Sequence, residues 1–278
     1  MNAARGVRAR LRPVRRMAHT AGVRLHSLTP PPAHAPVVVL GHQKSGTTAI
    51  AALLARAGGA SVRLDLPALW SRDRELGRRP GALGRWIRWH HWYFGFDVVK
   101  EPWLTFAPGE LAAALPQARF VLVVRDPRDT LRSILDRLDV PGDRADNPPG
   151  LDRLAPGWRG LFEDCTRGEH YIDALTERWL QAAHAGEALA GDRLWTIRYE
   201  DFVADKAGCI DALSRSLGME SAVDIGALVD HDFQPRGRRR DTSWEAFFGP
   251  ANLHRITGRA APGMRLHGYE PGDRDDAP

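Results

Sequence analysis

The apolar positions of this chain gather in short unbroken runs, and the clearest of them end in a turn that opens a helical pattern. Residues 37–40 read Val-Val-Val-Leu, pass through a glycine-bounded turn at 41–46, and continue into an Ala/Leu-rich stretch over 47–57. An unbroken β-branched run suits a strand buried on both faces, and the stretch after it suits a helix packed on that strand. Residues 119–124, Arg-Phe-Val-Leu-Val-Val, repeat the arrangement, with a helix starting near Pro127, where proline fits the first helical turn. Further strands are predicted at 61–64, 97–100 and 194–199, and further helices from about Pro108, over 169–189 and over 206–217. Residues 67–96 lack a clean period and are rich in aromatics. Residues 139–160 read as a loop or lid, and the chain from Gln234 onward passes from basic to aromatic to Gly/Pro-rich. Strands alternating with helices over 36–217 predict an α/β fold, a doubly wound parallel sheet with flanking helices and its ligand crevice at the carboxyl ends of the strands.

Composition narrows the picture. A chain of 278 residues, 43% hydrophobic, can bury a sizeable core. It has no apolar run of the ~18 residues that would mark a membrane span, so a cytoplasmic location is expected. The two cysteines, Cys165 and Cys209, lack metal-ligand spacing and read as reduced thiols. The net charge of +5 hides an asymmetry, since no acidic residue precedes Asp65 while residues 1–36 carry seven arginines. Residues 1–35 therefore read as a disordered basic tail suited to peripheral contact with an anionic membrane surface, and 36–278 as the folded domain. No nucleic acid partner is expected. Arginine is the default cation here: only Lys44, Lys100 and Lys206 are lysine, and two of the three fall at predicted strand ends.

The turn after the first strand carries the most chemistry. Its sequence, GHQKSGTT over 41–48, joins a strand to a helix, so free backbone N–H groups and the positive helix end face an anion. Ser45, Thr47 and Thr48 add hydroxyl donors. In the loop that grips nucleoside triphosphates the second glycine is followed by lysine; here Gly46 is followed by Thr47, and the lysine, Lys44, lies inside the loop. Such a loop binds phosphate without being a standard triphosphate grip.

QKSGTT, followed by an apolar strand ending in RDPRDTLRS and later by RYEDF, resembles the sulfotransferases that use 3′-phosphoadenosine 5′-phosphosulfate. The resemblance covers residues 36 to about 218 well and extends more weakly to 270. It implies that Lys44, Ser45, Gly46, Thr47 and Thr48 cradle the 5′-phosphosulfate. It also implies that Arg125 and Ser133 hold the 3′-phosphate and that Tyr199 lies near the nucleotide. Chemically, a fixed guanidinium with a hydroxyl two helical turns on is a sensible phosphate site. Lys44 is expected to stabilise the leaving oxygen, with Lys100 as a second cation over the sulfonate; neither role needs a metal.

The chain departs from one branch of that family, in which a histidine two residues beyond the second lysine is the base. Here Lys100 is followed by Glu101 and Pro102. Other branches place a carboxylate beyond the loop, and Asp65 is the first acidic residue after it. Asp65 is the leading candidate for the general base, with Glu101, His90 and His91 as alternatives; as an ordinary residue Asp65 would be a turn aspartate before Pro67. The aromatic segment from Trp86 to Phe96 is either core or an acceptor pocket. Which of the C-terminal arginines Arg236, Arg238, Arg239 and Arg240 reach the donor is left open. A small-metabolite kinase and a non-catalytic nucleotide or polyanion binder are the competing readings. The expected acceptor is a hydroxyl or amine on a carbohydrate, lipid or small molecule.

Overall fold

The structure, a computed structural model, describes residues 35–70, 79–189, 191–219, 223–231, 233 and 242–272. All but the last residue of the predicted basic tail lies outside these residues, as do Arg236, Arg238, Arg239 and Arg240. Five strands form one sheet: β1 (Val37–Gly41), β2 (Val62–Leu64), β3 (Val98–Lys100), β4 (Arg119–Val124) and β5 (Leu194–Arg198). Their order is β2-β3-β1-β4-β5 and every pairing is parallel. The chain leaves β1 toward β2 and β3, then crosses to β4 and β5 on the other side. The connections therefore diverge at the carboxyl ends of β1 and β4, the point where an open α/β sheet forms its ligand crevice.

The unbroken apolar runs are explained by burial on both faces. Val38 and Leu40 of β1 join Phe120, Leu122 and Val124 of β4 in one core, while Val37 and Val39 join Val121 and Val123 in the other. Successive strand residues point to opposite faces, so both faces must be apolar. Helices α1 (Thr47–Ala57) and α7 (Lys206–Ser216) cover the second face through Ile50, Leu53, Leu54, Ile210 and Leu213. The first face is covered by α4 (Pro127–Leu138), α5 (Tyr171–Ala183) and α8 (Trp244–Leu266), through Leu131, Ile134, Leu175, Trp179, Phe248 and Ile256. Two further helices, α3 (Pro108–Ala114) and α6 (Tyr199–Ala204), follow β3 and β5.

Two segments differ from the sequence expectation, and a third is more restrained than its composition suggests. The aperiodic stretch 67–96 contains a helix, α2 (Ala82–Trp89), and a 3₁₀ turn, His91–Gly95. No side chain in α2's own sequence caps it; Glu110, from a distant part of the chain, accepts from Gly81 N at 2.7 Å and Leu83 N at 2.9 Å. The Gly/Pro-rich C-terminal region contains α8, kinked where Gly249 takes φ 68° ahead of Pro250. The segment read as a loop or lid is tied down over its first half. Tyr171 Oη donates to Pro141 O at 2.9 Å, and Asn252 Nδ2 donates to Gly142 O at 2.8 Å and Arg144 O at 2.9 Å. The aromatic segment resolves mostly into core, with Trp86, Tyr93 and Phe94 buried, while Trp89 is 68% exposed. No helix among the described residues is long and apolar enough to cross a membrane.

Candidate active site

The loop between β1 and α1 is built by backbone geometry that the sequence permits at few places. Gly41 pairs with Val123 in the parallel ladder, and a Cβ there would stand 2.4 Å from Val123 O. Lys44 and Gly46 take φ of 69° and 88°, left-handed values that fold the loop back over the start of α1. No side chain caps α1, so its first-turn N–H groups remain donors at the positive end of the helix. Buried polar atoms around them lack partners: Ser45 Oγ, both amide atoms of Gln43, and His42 Nε2. A buried polar atom left unpaired costs about 1–3 kcal/mol, which a ligand supplying the partner recovers. Burial, with Arg178 nearby, pushes the His42 ring down to about 4, and its Nδ1 donates to Gln43 O at 3.1 Å. The ring is therefore neutral and Nε2 is a lone-pair acceptor.

Arg125, at the end of β4, lies against this loop. Its guanidinium donates to Lys44 O at 3.0 Å and sits 4.5 Å from the centroid of the Tyr199 ring, while its Nε is buried without a partner. Tyr199 in turn packs on Gly46, where a Cβ would come within 2.3 Å of the ring. Three of the residues singled out from the sequence, Lys44, Arg125 and Tyr199, thus converge through direct contact. The residues between them keep Arg125 in place. Asp126 accepts from Arg128 N at 2.8 Å at the start of α4 and binds the Arg128 guanidinium, leaving Arg125 to face the loop. Glu200, beside Tyr199, accepts from Asp126 N at 3.1 Å and from Tyr269 Oη at 2.6 Å. In RDPRD and YED, the first residue faces the loop and the next holds the frame.

The electrostatics of the crevice are unbalanced toward positive charge. The Lys44 ammonium is held below the ordinary lysine value first by burial and then by the cations of Arg137, Arg125 and Lys100, with Asp136 opposing. Lys44 makes no ion pair among the described residues. Arg137 and Asp136, whose charges act on Lys44, lie four and three residues beyond Ser133 on α4, so the three share one face of that helix. Ser45, Thr47 and Thr48 are buried at the base of the loop. Cations and two unpaired donors, Ser45 Oγ and Gln43 Nε2, gather at this loop, which suits phosphate or sulfate groups.

The acceptor-side candidates separate clearly. Lys100 Nζ binds Asp65 Oδ1 at 2.5 Å; the lysine side chain is 4% exposed and that of the aspartate 32%. Asp65 stands immediately after β2 with φ 65°, its N–H donating to Lys100 O at 2.9 Å. Glu101 is fully buried, with its carboxylate accepting from Leu66 N, Trp70 Nε1 and Trp103 N at 2.7, 3.1 and 3.1 Å. His90 and His91 belong to the aromatic segment: His90 stacks on Trp86 at 4.3 Å, and their Nδ1 atoms donate to Trp86 O and Arg88 O. Of the four candidate bases, only Asp65 is both partly exposed and bound to a lysine of the crevice.

Sequence reasoning misses several residues here. His42 and Gln43 lie within the quoted loop, but nothing in their types announced buried, unpartnered atoms. Arg137 was available from its spacing to Ser133. Thr105 ties the turn Pro102–Phe106, which follows β3, to the end of β1, accepting from Gly41 N at 2.9 Å and donating to Gly41 O at 3.2 Å; only the sheet order reveals it. Among the described residues no group of His, Cys, Asp or Glu is arranged to hold a metal ion.

A family model described as "Sulfotransferase family" matches residues 60–223, which spans β2 through α7 and begins after the Lys44 loop. Comparison with curated proteins gives no match. Among solved structures, the sulfotransferase STF9 from Mycobacterium avium is 13% identical over 86% of this chain and 78% of that one, with a TM-score of 0.51. Mouse sulfotransferase SULT7A1, solved in complex with PAP, is 18% identical over 87% of this chain and 89% of that one, with a TM-score of 0.50. At these identities the two structures establish a shared fold.

Proposed function

The chain belongs to the sulfotransferase family, and from that premise we propose how its crevice works. It transfers a sulfuryl group from 3′-phosphoadenosine 5′-phosphosulfate to a hydroxyl or amine of a carbohydrate, lipid or small-molecule acceptor. The donor supplies an activated sulfuryl group on a phosphate leaving group, and what the protein must add is position and charge. Residues 44–48 would hold the 5′-phosphosulfate through loop N–H groups and the hydroxyls of Ser45, Thr47 and Thr48. Arg125 and Ser133 would take the 3′-phosphate, with Tyr199 packed beside them. The mouse sulfotransferase of this fold was solved in complex with PAP, which accords with such a donor.

The observation that carries the reading is the contact of Arg125 with the Lys44 loop, which joins two anion sites across the strand crevice. Lys44, without an ion-pair partner among the described residues, is available to neutralise charge on the leaving oxygen. Lys100 stands nearby as a second cation, and its bond to Asp65 holds the carboxylate on the acceptor side. Asp65 would take the proton of the acceptor hydroxyl as the new bond to sulfur forms. The burial of Glu101 and the engagement of its oxygens argue against it as that base.

The direct test is incubation of the protein with donor labelled in the sulfuryl group and fractionated extract as the acceptor mixture, read by label transfer and by mass spectrometry of the products. Label in an organic product supports the reading; binding of donor without transfer points instead to a nucleotide binder. Arg125→Ala is expected to weaken adenosine 3′,5′-bisphosphate by about 10- to 100-fold in titration calorimetry, the worth of a charge-assisted hydrogen bond. Unchanged affinity would remove Arg125 from the 3′-phosphate site.

A further inference from the structure

We infer that Glu101 is the positioning residue of the acceptor side, its carboxylate clasping the turn that begins at Asp65 to the turn that follows Lys100. The inference rests on the reading of Asp65 as the base. Asp65 occupies the left-handed region at φ 65°, a conformation costing a non-glycine residue about 1–2 kcal/mol, so its surroundings must hold it there. One restraint is Asp65 N–H on Lys100 O at 2.9 Å. The next residue supplies the other: Leu66 N donates to Glu101 Oε2 at 2.7 Å, and Trp70 Nε1 donates to the same oxygen at 3.1 Å. From the opposite side Trp103 N donates to Glu101 Oε1 at 3.1 Å, so the carboxylate joins residues 66–70 to the turn Pro102–Phe106.

The chemistry requires a carboxylate here. Three N–H donors converge on two oxygens at a fully buried position, and a carboxylate, which only accepts, meets all of them with no donor of its own left over. A protonated carboxyl or an amide brings hydrogens of its own into a shell made of donors. Burial pushes Glu101 up to about 7, against the pull of the Leu66 and Trp103 N–H groups and Lys100, while the charge of Asp65 adds to the rise. Among the described residues Lys100 and Asp65 are the charged groups acting on it. The clasp is therefore complete above about 7 and loosens as pH falls through that value.

The sign for stability is the reverse. A carboxyl raised in the folded state from 4.5 to about 7 contributes most to stability at low pH, and that contribution is lost as pH rises through the same window. Activity and this part of the stability should slope in opposite directions, a pairing that simple loss of packing would not give.

The test uses the full chain with labelled donor and the extract acceptor mixture. Transfer is measured across about pH 5.5 to 9, alongside bisphosphate affinity and hydrogen exchange with bisphosphate bound. Glu101→Gln is expected to lower transfer at least about 10-fold at pH 8, to remove the acid limb centred near 7 in the wild type, and to speed exchange in residues 65–70 and 102–106. Bisphosphate affinity should stay within about twofold. Trp70→Phe keeps a ring but deletes one N–H from the carboxylate, so its acid limb should move up by about half a pH unit or more. That gentler variant carries the test if Glu101→Gln does not fold. Acid limbs of Trp70→Phe and of folded Glu101→Gln that coincide with the wild type, with exchange unchanged in both turns, would overturn the inference. Full transfer by Asp65→Asn would sink the base reading instead, leaving the acid-limb shift and the exchange pattern to judge the clasp itself.

Discussion

Lys44→Ala is expected to reduce sulfuryl transfer by about 10²–10³-fold or more while adenosine 3′,5′-bisphosphate still binds. The reason is a division of labour in the crevice. On the proposed reading the bisphosphate would keep the loop N–H groups, the hydroxyls and Arg125, and would lose only a cation that matters most once charge develops on the leaving oxygen. Nothing in the fold depends on the ammonium, which makes no ion pair among the described residues and sits among Arg125, Arg137 and Lys100. Lys44→Arg should not restore activity: a guanidinium is larger and planar, and it would crowd the neighbouring Arg125 rather than reach the reacting oxygen. Single-turnover rates at saturating donor separate the two effects. Retained turnover in Lys44→Ala would move the leaving-group role to Lys100.

Asp65→Asn is expected to lower kcat by about 10²–10⁴-fold, the usual worth of a general base, with donor affinity unchanged. Asparagine is the informative replacement, since it tolerates the φ of 65° at which Asp65 stands, whereas alanine would add backbone strain to the loss of the carboxylate. The substitution also breaks the ion pair with Lys100, so a paired Lys100→Met measurement is needed. If the whole effect came from freeing Lys100, Lys100→Met would abolish the additional loss in the double variant; a remaining loss belongs to proton removal. Full activity in Asp65→Asn would defeat the assignment.

Much of this was legible in the sequence because the sheet interior leaves little choice. Residues 37–40 and 120–124 are buried on both faces and read as unbroken apolar runs; the turns after them carry the loop and Arg125. The short strands at 62–64 and 98–100 were also readable, as were the helices beginning at Thr47, Pro127 and Lys206. Helix α2 was not, because its cap, Glu110, comes from the other side of β3. Helix α8 was hidden by Gly249, Pro250 and Pro262, which stop an isolated helix but are accommodated here by a kink and by packing on α5. The segment read as a loop or lid was not readable as restrained, because its anchors, Tyr171 and Asn252, lie far along the chain.

The site divided in the same way. The turn at 41–48 is written in local order, so Lys44 to Thr48 could be proposed as a phosphate cradle without coordinates. The carboxylates could not be ranked, because Asp65 and Glu101 differ in burial and partners rather than in type. β2 and β3 are neighbours in the sheet, so Asp65 and Lys100 meet at the ends of adjacent strands, and Glu101, one residue further on, turns inward to hold Leu66 and Trp70. That alternation between the crevice and the interior is a property of strand register, and register becomes visible only once the order of strands is known.

The central claim is a crevice with two anion sites, one at the Lys44 loop and one at Arg125 and Ser133, that binds its nucleotide without a metal. Titration calorimetry in the presence of EDTA, comparing adenosine 3′,5′-bisphosphate with adenosine 5′-monophosphate and ATP, tests it most directly. The account predicts that the bisphosphate binds at least about 10-fold tighter than the monophosphate, with ATP weak whether or not magnesium is restored. Magnesium-dependent ATP binding tighter than that of the bisphosphate would contradict it.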